Sequence, residues 1–217
     1  MYQLTAIAAV GYVRSALDEI SSTEGLEMLV QPEDIDLRRL VEGFMEEAAV
    51  KATAIAPLRI LEGVTATKTD DYSLELNDGV ATISMLVPTA RVLSVKCMDS
   101  DYTLTDPVTE DSVEGRKQLN RHVRGTYDDP RLVMLKKWHG DHMPRLKYYT
   151  TTVDEVGRLE FDIEYLPYPR YEYGMVEIAP RLEYAVLNII ASMVLDSLRE
   201  PQMADIYRAR AKEHLES

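Results

Sequence analysis

The sequence predicts an α+β fold in which an α-helical bundle, formed by N-terminal helices and two C-terminal helices, is interrupted by an antiparallel β-rich insertion. Apolar residues recur at helical spacing before residue 60 and again after residue 178. Between these points they alternate with polar residues or form short runs bounded by turn residues. We therefore expect a helical domain over 1–59 with 178–217, and a β-rich domain over 60–177 built of hairpins that form a sandwich or a barrel.

The N-terminal helices are predicted on either side of the breaker SSTEG and Pro32. Residues 4–19 form the first helix. Asp34 is placed to cap the second, which ends before Pro57 because a proline disfavours helical backbone in the residue preceding it. The apolar stripe of the second helix follows the helical period and comprises Leu37, Leu40, Val41, Phe44 and Ala48.

The β-rich middle begins with a hairpin. Asn77-Asp78-Gly79 separates YSLEL from VATISML, and Asp-Gly supplies the positive φ angles of a tight turn. Further strands are predicted at 90–98, 101–104, 131–138, 145–152 and 157–167. The last is the clearest, because its apolar residues alternate with the carboxylates of Glu160, Asp162 and Glu164.

The C-terminal helices are predicted at 182–198 and after Pro201. Pro180 suits a first helical turn, and the apolar stripe of the first helix comprises Leu182, Val186, Ile189, Met193 and Leu198. Ala185, Ile190, Ala191 and Val194 add apolar surface beyond what one sheet face requires. We expect neighbouring copies of the chain to cover this excess.

Composition and charge narrow the function classes. One cysteine cannot form an internal disulfide, and no basic leader or apolar run of ~20 residues marks a signal peptide or a membrane span. The net charge of −13 is divided as −6 over 1–63, −7 over 64–115, +3 over 116–170 and −3 over 171–217. Acidic flanks around one basic segment argue against tight nucleic-acid binding and favour docking between unlike charged surfaces.

The segment WHGDHM (138–143) raises the question of a metal site. His139, Asp141 and His142 surround a glycine between two predicted strands, so they are expected at a hairpin tip. A zinc site needs further ligands, and the other histidines are His122 and His214 with no HExxH motif. The pattern favours an exposed turn; a loop that contacts a partner and a metal site remain alternatives.

The three carboxylates of the 157–167 strand can be interpreted in two ways. They are most simply a solvated or interface face, although convergent carboxylates also suit a divalent cation or acid–base chemistry. We expect basic residues of a neighbouring strand or subunit beside them, with Arg145 and Lys147 as candidates. The sequence contains no nucleophile elbow, Walker loop, GxGxxG turn or CxxC pair, so no motif of this kind points to catalysis or to a cofactor.

Three segments resemble the head-to-tail connector ring (adaptor) proteins of tailed bacteriophages, in particular the ring proteins of crAss-like phages and the related tail tubular protein A. They are QLNRHVRGTYDDPRLVML (118–135), FDIEYLPYPRY (161–171) and LEYAVLNIIASMVLDSLREPQMADIYRARAKEHL (182–215). The resemblance implies a structural virion protein without enzymatic activity or a cofactor, made in the host cytoplasm and assembled as a twelve-fold ring in the neck. Its partners would be the portal and neighbouring ring or tail proteins, with double-stranded DNA passing through without specific binding and no membrane involved.

The residues expected at contacts between subunits or rings are charged or aromatic. They are Arg116, Lys117, Arg121, Arg124, Lys136, Lys137, His139, Asp141, His142, Glu160, Asp162, Glu164, Tyr168, Tyr171 and Tyr173. Two other functions remain open. One is a small cytoplasmic metal-dependent hydrolase that uses an Asp/Glu or His cluster, and the other is a monomeric binding module.

Overall fold

The computed structural model describes residues 1–24, 34–68, 70–98, 101–126, 128–135, 142–149 and 160–216. The side chains of 20–24 and 34–36 are not part of this description. The chain divides into two compact units, here called unit 1 (Met1–Glu62 with Pro169–Ser217) and unit 2 (Gly63–Tyr168). None of the helices in the described ranges is long and apolar enough to cross a membrane.

The described elements follow in chain order. The helices are α1 (Ala6–Glu24), α2 (Asp34–Ile55), α3 (Val113–Lys117), α4 (Glu183–Ser197) and α5 (Pro201–Glu216). The strands are β1 (Tyr2–Thr5), β2 (Val64–Ala66), β3 (Tyr72–Asn77), β4 (Val80–Met85), β5 (Thr89–Cys97), β6 (Thr103–Thr105), β7 (Val108–Thr109), β8 (Arg131–Met134), β9 (Arg145–Tyr149), β10 (Phe161–Pro167), β11 (Tyr171–Glu172) and β12 (Met175–Ile178).

In unit 1, helix α4 is surrounded by the other helices. It packs against α1, α2 and α5, and most of its residues between Ala185 and Leu195 are buried. The buried amide of Asn188 accepts a hydrogen bond from the Tyr12 hydroxyl (3.0 Å) and donates one to the Tyr184 carbonyl (2.7 Å). The apolar excess of α4 is therefore covered mainly by its own chain, and neighbouring copies are not needed to bury it.

The predicted fold class is also wrong. The chain is β-rich, with three sheets and helices at both ends and in the middle, and it is not an α-helical bundle with an inserted β-region. Tyr2–Thr5, most of it outside the helix predicted at 4–19, forms an antiparallel edge strand that pairs from Tyr2↔Ile178 to Thr5↔Met175. Its Leu4 side chain is fully buried. Four residues are too few for a periodicity, and the partner strand lies far along the chain, so local pattern did not indicate this strand.

Unit 2 contains two sheets that enclose one core. Their strand orders are β2-β10-β5-β6 and β3-β4-β9-β8-β7. The core takes side chains from both sheets, among them Ile83, Leu146 and Ile163. The buried Tyr72 hydroxyl links the sheets, because it donates to the Phe161 carbonyl (2.9 Å) and accepts from the Phe161 N–H (3.1 Å).

The predicted hairpins of unit 2 are confirmed where the structure describes them. β3 and β4 pair across a two-residue turn, Asp78-Gly79, with positive φ at both positions. β5 pairs with β6, and β8 pairs with β9, both antiparallel. The predicted strand residues 136–138, 150–152 and 157–159 lie outside the described ranges.

Candidate self-association surfaces

The basic segment meets the β3–β4 turn. Arg121 Nη2 lies 2.8 Å from Asp78 Oδ1, and Arg124 Nη1 lies 3.5 Å from Asp78 Oδ2. Lys117 instead pairs with Glu114 (2.7 Å), and Arg116 Nε donates to the Asp111 carbonyl (2.9 Å). Part of the positive charge predicted for an interface is therefore compensated within the chain.

Arg121 and Arg124 differ in exposure, which separates their roles. The Arg121 side chain is 72% exposed, whereas that of Arg124 is 9% exposed. Arg124 Nη2 also donates to the Asp78 carbonyl at 2.7 Å, so this guanidinium binds both the backbone and the carboxylate of the turn residue. Arg124 is placed to hold the turn, and Arg121 pairs with the same carboxylate from an exposed position. Lys136 and Lys137 lie outside the described residues.

His142 and Tyr168, predicted separately as contact residues, lie together. Their rings stack with centroids 3.6 Å apart and an interplanar angle of 20°. The backbone secures both residues, because Thr89 N–H donates to the His142 carbonyl (2.7 Å) and Tyr168 N–H donates to the Pro88 carbonyl (2.9 Å). The arrangement joins the loop before β9 to the start of β5. His139 and Asp141 lie outside the described residues.

A metal site requires several ligand side chains that converge. Within the described ranges, no group of three or more His, Cys, Asp or Glu side chains could hold a metal ion. Cys97 is buried in the core of unit 2.

The carboxylates of β10 have separate surroundings. Asp162 is exposed and lies opposite Lys96 of β5 in the strand register. Glu164 is half-buried; its Oε1 accepts from Gly63 N–H (3.1 Å) and its Oε2 lies 3.5 Å from the Ser94 hydroxyl. Glu160 is exposed at the start of the strand. Glu164 thus serves the local structure, while Glu160 and Asp162 remain on the surface.

The basic neighbours expected for this strand are not Arg145 and Lys147. Those residues belong to β9, which pairs with β4 and β8 in the other sheet of unit 2. β10 pairs with β2 and β5 instead. The pairing partner of a strand depends on contacts far along the chain, and alternation within 157–167 does not specify it.

Tyr171 is anchored to α2. Its N–H donates to Glu46 Oε2 (3.1 Å), and its side chain hydrogen-bonds to the Glu42 carboxylate. Burial, followed by this hydrogen bond, raises the pKa of Tyr171. Glu42 also accepts from Arg38 Nε (2.7 Å), which is the main reason its pKa is lowered. Tyr171 is half-buried, and its hydrogen bonds to Glu42 and Glu46 attach β11 to α2.

Tyr173 is the most exposed of the predicted contact tyrosines. It forms, with Gly174, the two-residue turn between β11 and β12, and both have positive φ (52° and 81°). The side chain is 96% exposed. Ala6 N–H, at the start of α1, donates to the Gly174 carbonyl (2.8 Å), which holds the turn against the first residue of α1.

A cleft between α2, α4 and α5 was not predicted. Its volume is about 600 Å³. Buried Ile189, Ala211 and Leu215 line it, together with Ile55 at the end of α2, which is 61% exposed. Exposed charged side chains surround it, namely Lys51, Asp196, Arg208, Lys212 and Glu216.

The sequence carried one signal for this cleft. Ile55 continues the stripe of α2 at helical spacing through Ala48 and Ala52, both fully buried, so periodicity alone assigns Ile55 to the core. The exposed position of Ile55 shows that the helix extends beyond the packing provided by its own chain. Periodicity identifies apolar faces, but the other helices decide where a face remains uncovered.

Comparisons with known proteins do not assign a family. The chain matches no protein-family model and no curated protein.

Proposed function

We propose that this chain is a structural protein of a phage virion, which assembles as a ring in the neck, joins the portal to the tail and lines the channel through which the genome passes. In this role the protein has no enzymatic activity. The twelve-fold stoichiometry and the portal and tail partners are implied by the resemblance of three sequence segments to connector proteins.

The observation that carries the proposal is the presence of two unlike exposed features on unit 1. A ring of identical subunits needs a heterologous interface, in which one patch on each copy meets a different patch on the next. The cleft between α2, α4 and α5 is concave and lined by apolar side chains. The β11–β12 turn instead presents the exposed ring of Tyr173. The two features are unlike, as this kind of interface requires.

The charge of the chain supports passage of DNA without binding. The net charge is −13, and several cations of the basic segment are already paired with Asp78 or Glu114. A surface with surplus acidic groups repels phosphates, so it lets a duplex move along a channel without adhering.

Light scattering and negative-stain electron microscopy test the proposal directly. The purified chain is measured over a range of concentrations, alone and with the portal protein of the same phage. We expect closed rings, or capture of the chain by the portal, with twelve copies per ring. A chain that stays monomeric under both conditions contradicts the proposal.

A monomeric binding module is the second candidate, and the cleft favours it. A volume of about 600 Å³ falls in the range of pockets that bind small molecules, roughly 300–1,000 Å³. Saturable binding of a small apolar compound by a strictly monomeric chain would support this candidate. The hydrolase alternative has less support, because Glu164 is hydrogen-bonded and Asp162 lies opposite Lys96.

A further inference from the structure

Two cations on the outer face of β9 have no ion pair within the described parts of the chain. Arg145 and Lys147 stand on either side of Leu146, which is fully buried in the core, so both side chains project from the opposite face of the sheet. Both residues are half-buried, and the Nε of Arg145 is buried without a hydrogen-bond partner. Like charges about 7 Å apart on one strand face repel, and removing a charge from water is costly unless a counter-charge is present. The pair therefore favours an anion beside it.

The surroundings of this pair within unit 2 do not supply that anion. The residues opposite Arg145 and Lys147 on β4 are Ser84 and Thr82, whose hydroxyls carry no charge. Glu75 of β3 shares the face but lies a further strand away, opposite Thr82. Five other cations of unit 2, by contrast, each pair with a carboxylate of the same unit: Arg91, Lys117, Arg121, Arg124 and Arg131.

The outer face of the other sheet of unit 2 carries the opposite charge. Glu160 and Asp162 stand on either side of the buried Phe161 and are both exposed. Neither carboxylate forms an ion pair within the described ranges, although Lys96 lies opposite Asp162 in the strand register. With Glu164, three carboxylates share this face with that one cation. The exposed pair has the same two-residue spacing as the cations, about 7 Å along a strand.

We propose that Arg145 and Lys147 of one copy bind Glu160 and Asp162 of a second copy, with the outer faces of the two unlike sheets stacked on each other. The two pairs match in spacing and are opposite in charge. They cannot meet within one chain, because the two sheets enclose a common core and their outer faces point away from each other. The contact joins unlike surfaces and therefore propagates from copy to copy until a ring closes. This inference rests on the proposed ring function.

Charge reversal removes one side of the contact at a time. One variant is Lys147→Glu, and the other combines Glu160→Lys with Asp162→Lys at two exposed positions. Either should raise the apparent dissociation constant for self-association about tenfold or more. Circular dichroism melts check that each variant folds, and Lys147→Gln, which removes the charge without reversing it, replaces Lys147→Glu if the latter is destabilised. Arg39→Glu, at an exposed cation of unit 1, makes the same change in net charge and should assemble normally.

Mixing the two variants gives a sharper result. Lys147→Glu retains the carboxylates and the Glu160→Lys, Asp162→Lys variant retains the cations, so one productive contact remains between unlike variants. Analytical ultracentrifugation should show monomers for each alone and a heterodimer, without rings, for the mixture. Rings of the wild type should also weaken in about 1 M NaCl, where the screening length falls to about 3 Å.

Inorganic phosphate tests the other occupant that this pair of cations could take. Isothermal titration calorimetry compares phosphate binding by the wild type and by Lys147→Glu. Saturable phosphate binding that Lys147→Glu abolishes, together with unchanged self-association of that variant, would assign the cations to a small anion and overturn the docking.

The wild type is measured first, alone and with the portal, and the variants under the condition in which it assembles. If the wild type forms rings and both reversed variants form them equally well, this docking is overturned while the ring function stands. If the wild type never assembles, the ring function fails and this inference with it.

Discussion

Tyr72 shows how one hydroxyl joins the two sheets of unit 2. Its side chain is 1% exposed, and it satisfies both backbone groups of Phe161, as donor to the carbonyl and acceptor from the N–H. A buried backbone group without a partner is costly because it has lost its hydrogen bond to water. Burial is also the main reason the pKa of Tyr72 is raised.

Removal of this hydroxyl tests the link between the sheets. Tyr72→Phe keeps the ring but leaves the N–H and carbonyl of Phe161 unpaired on that side, so we expect a loss of about 1–3 kcal/mol in the free energy of unfolding. Urea unfolding followed by circular dichroism measures this loss. Tyr102→Phe, at a 49% exposed tyrosine, should change little; an unchanged midpoint for Tyr72→Phe would show that the link is unimportant.

Glu42 gives unit 1 an acid-sensitive contact. Its pKa is lowered, first by the hydrogen bond from Arg38. A carboxyl whose pKa is lower in the folded state stabilises the fold above its unfolded pKa, about 4.3, and loses that contribution as the pH falls through the folded value. The difference between the Tm at pH 7 and the Tm at pH 3 should therefore be smaller for the Glu42→Gln variant than for the wild type.

The matched control for this measurement lies on the same helix. Glu47 forms an exposed pair with Lys51 (2.8 Å), so Glu47→Gln removes a carboxyl without removing the Arg38–Glu42–Tyr171 contacts. Equal acid sensitivity in the Glu42→Gln variant and the wild type would contradict the role assigned to Glu42.

At the scale of elements, the segment after α3 is fastened to the β3–β4 hairpin through Asp78. The contribution of a charged contact depends on its burial, since exposed pairs contribute roughly 0–1 kcal/mol whereas removal of a buried partner costs more. Arg124 is 9% exposed and Arg121 is 72% exposed, yet both reach the same carboxylate. Arg121 is therefore the better probe of an interface, and Arg124 of the fold.

Single alanine variants separate these two roles. Arg124→Ala removes the hydrogen bond to the Asp78 carbonyl, so we expect a loss of about 1–3 kcal/mol in the free energy of unfolding. Arg121→Ala should stay within about 0.5 kcal/mol of the wild type. Chemical denaturation measures both, and equal losses for the two variants would mean that burial does not distinguish them.

At the scale of the whole molecule, the charge distribution is the property that bears most on the proposed function. The chain carries 37 acidic and 24 basic side chains, lysine and arginine together. A long-range field of this sign repels nucleic acid at low salt, where screening is weakest.

This charge leads to a prediction for DNA. Fluorescence polarisation with a labelled duplex should show no binding at about 50 mM salt. Low salt is the stringent condition, because a protein that neutralises phosphates binds DNA more tightly as the salt concentration is lowered. Charge-neutralising variants of acidic residues provide the comparison. Binding by the wild type that weakens steeply with added salt would contradict passive passage of DNA.

Local chemistry in the sequence determined several elements of this protein. The Asp78-Gly79 turn, the alternation in β10 and the helical spacing in α2 and α4 depend on residues within a few positions of one another, so the sequence alone predicted them. The same reasoning identified Tyr173 as a candidate contact, because a turn rich in tyrosine presents aromatic rings at a surface.

Tertiary structure decided what depends on residues far apart in the chain. β1 forms because Met175–Ile178 pairs with it, β9 and β10 belong to different sheets of unit 2, and α4 is covered by its own helices. The burial of Arg124 and the cleft beside Ile55 follow from the same long-range packing. Periodicity shows that a face is apolar, but only the packing of distant segments determines whether that face is covered.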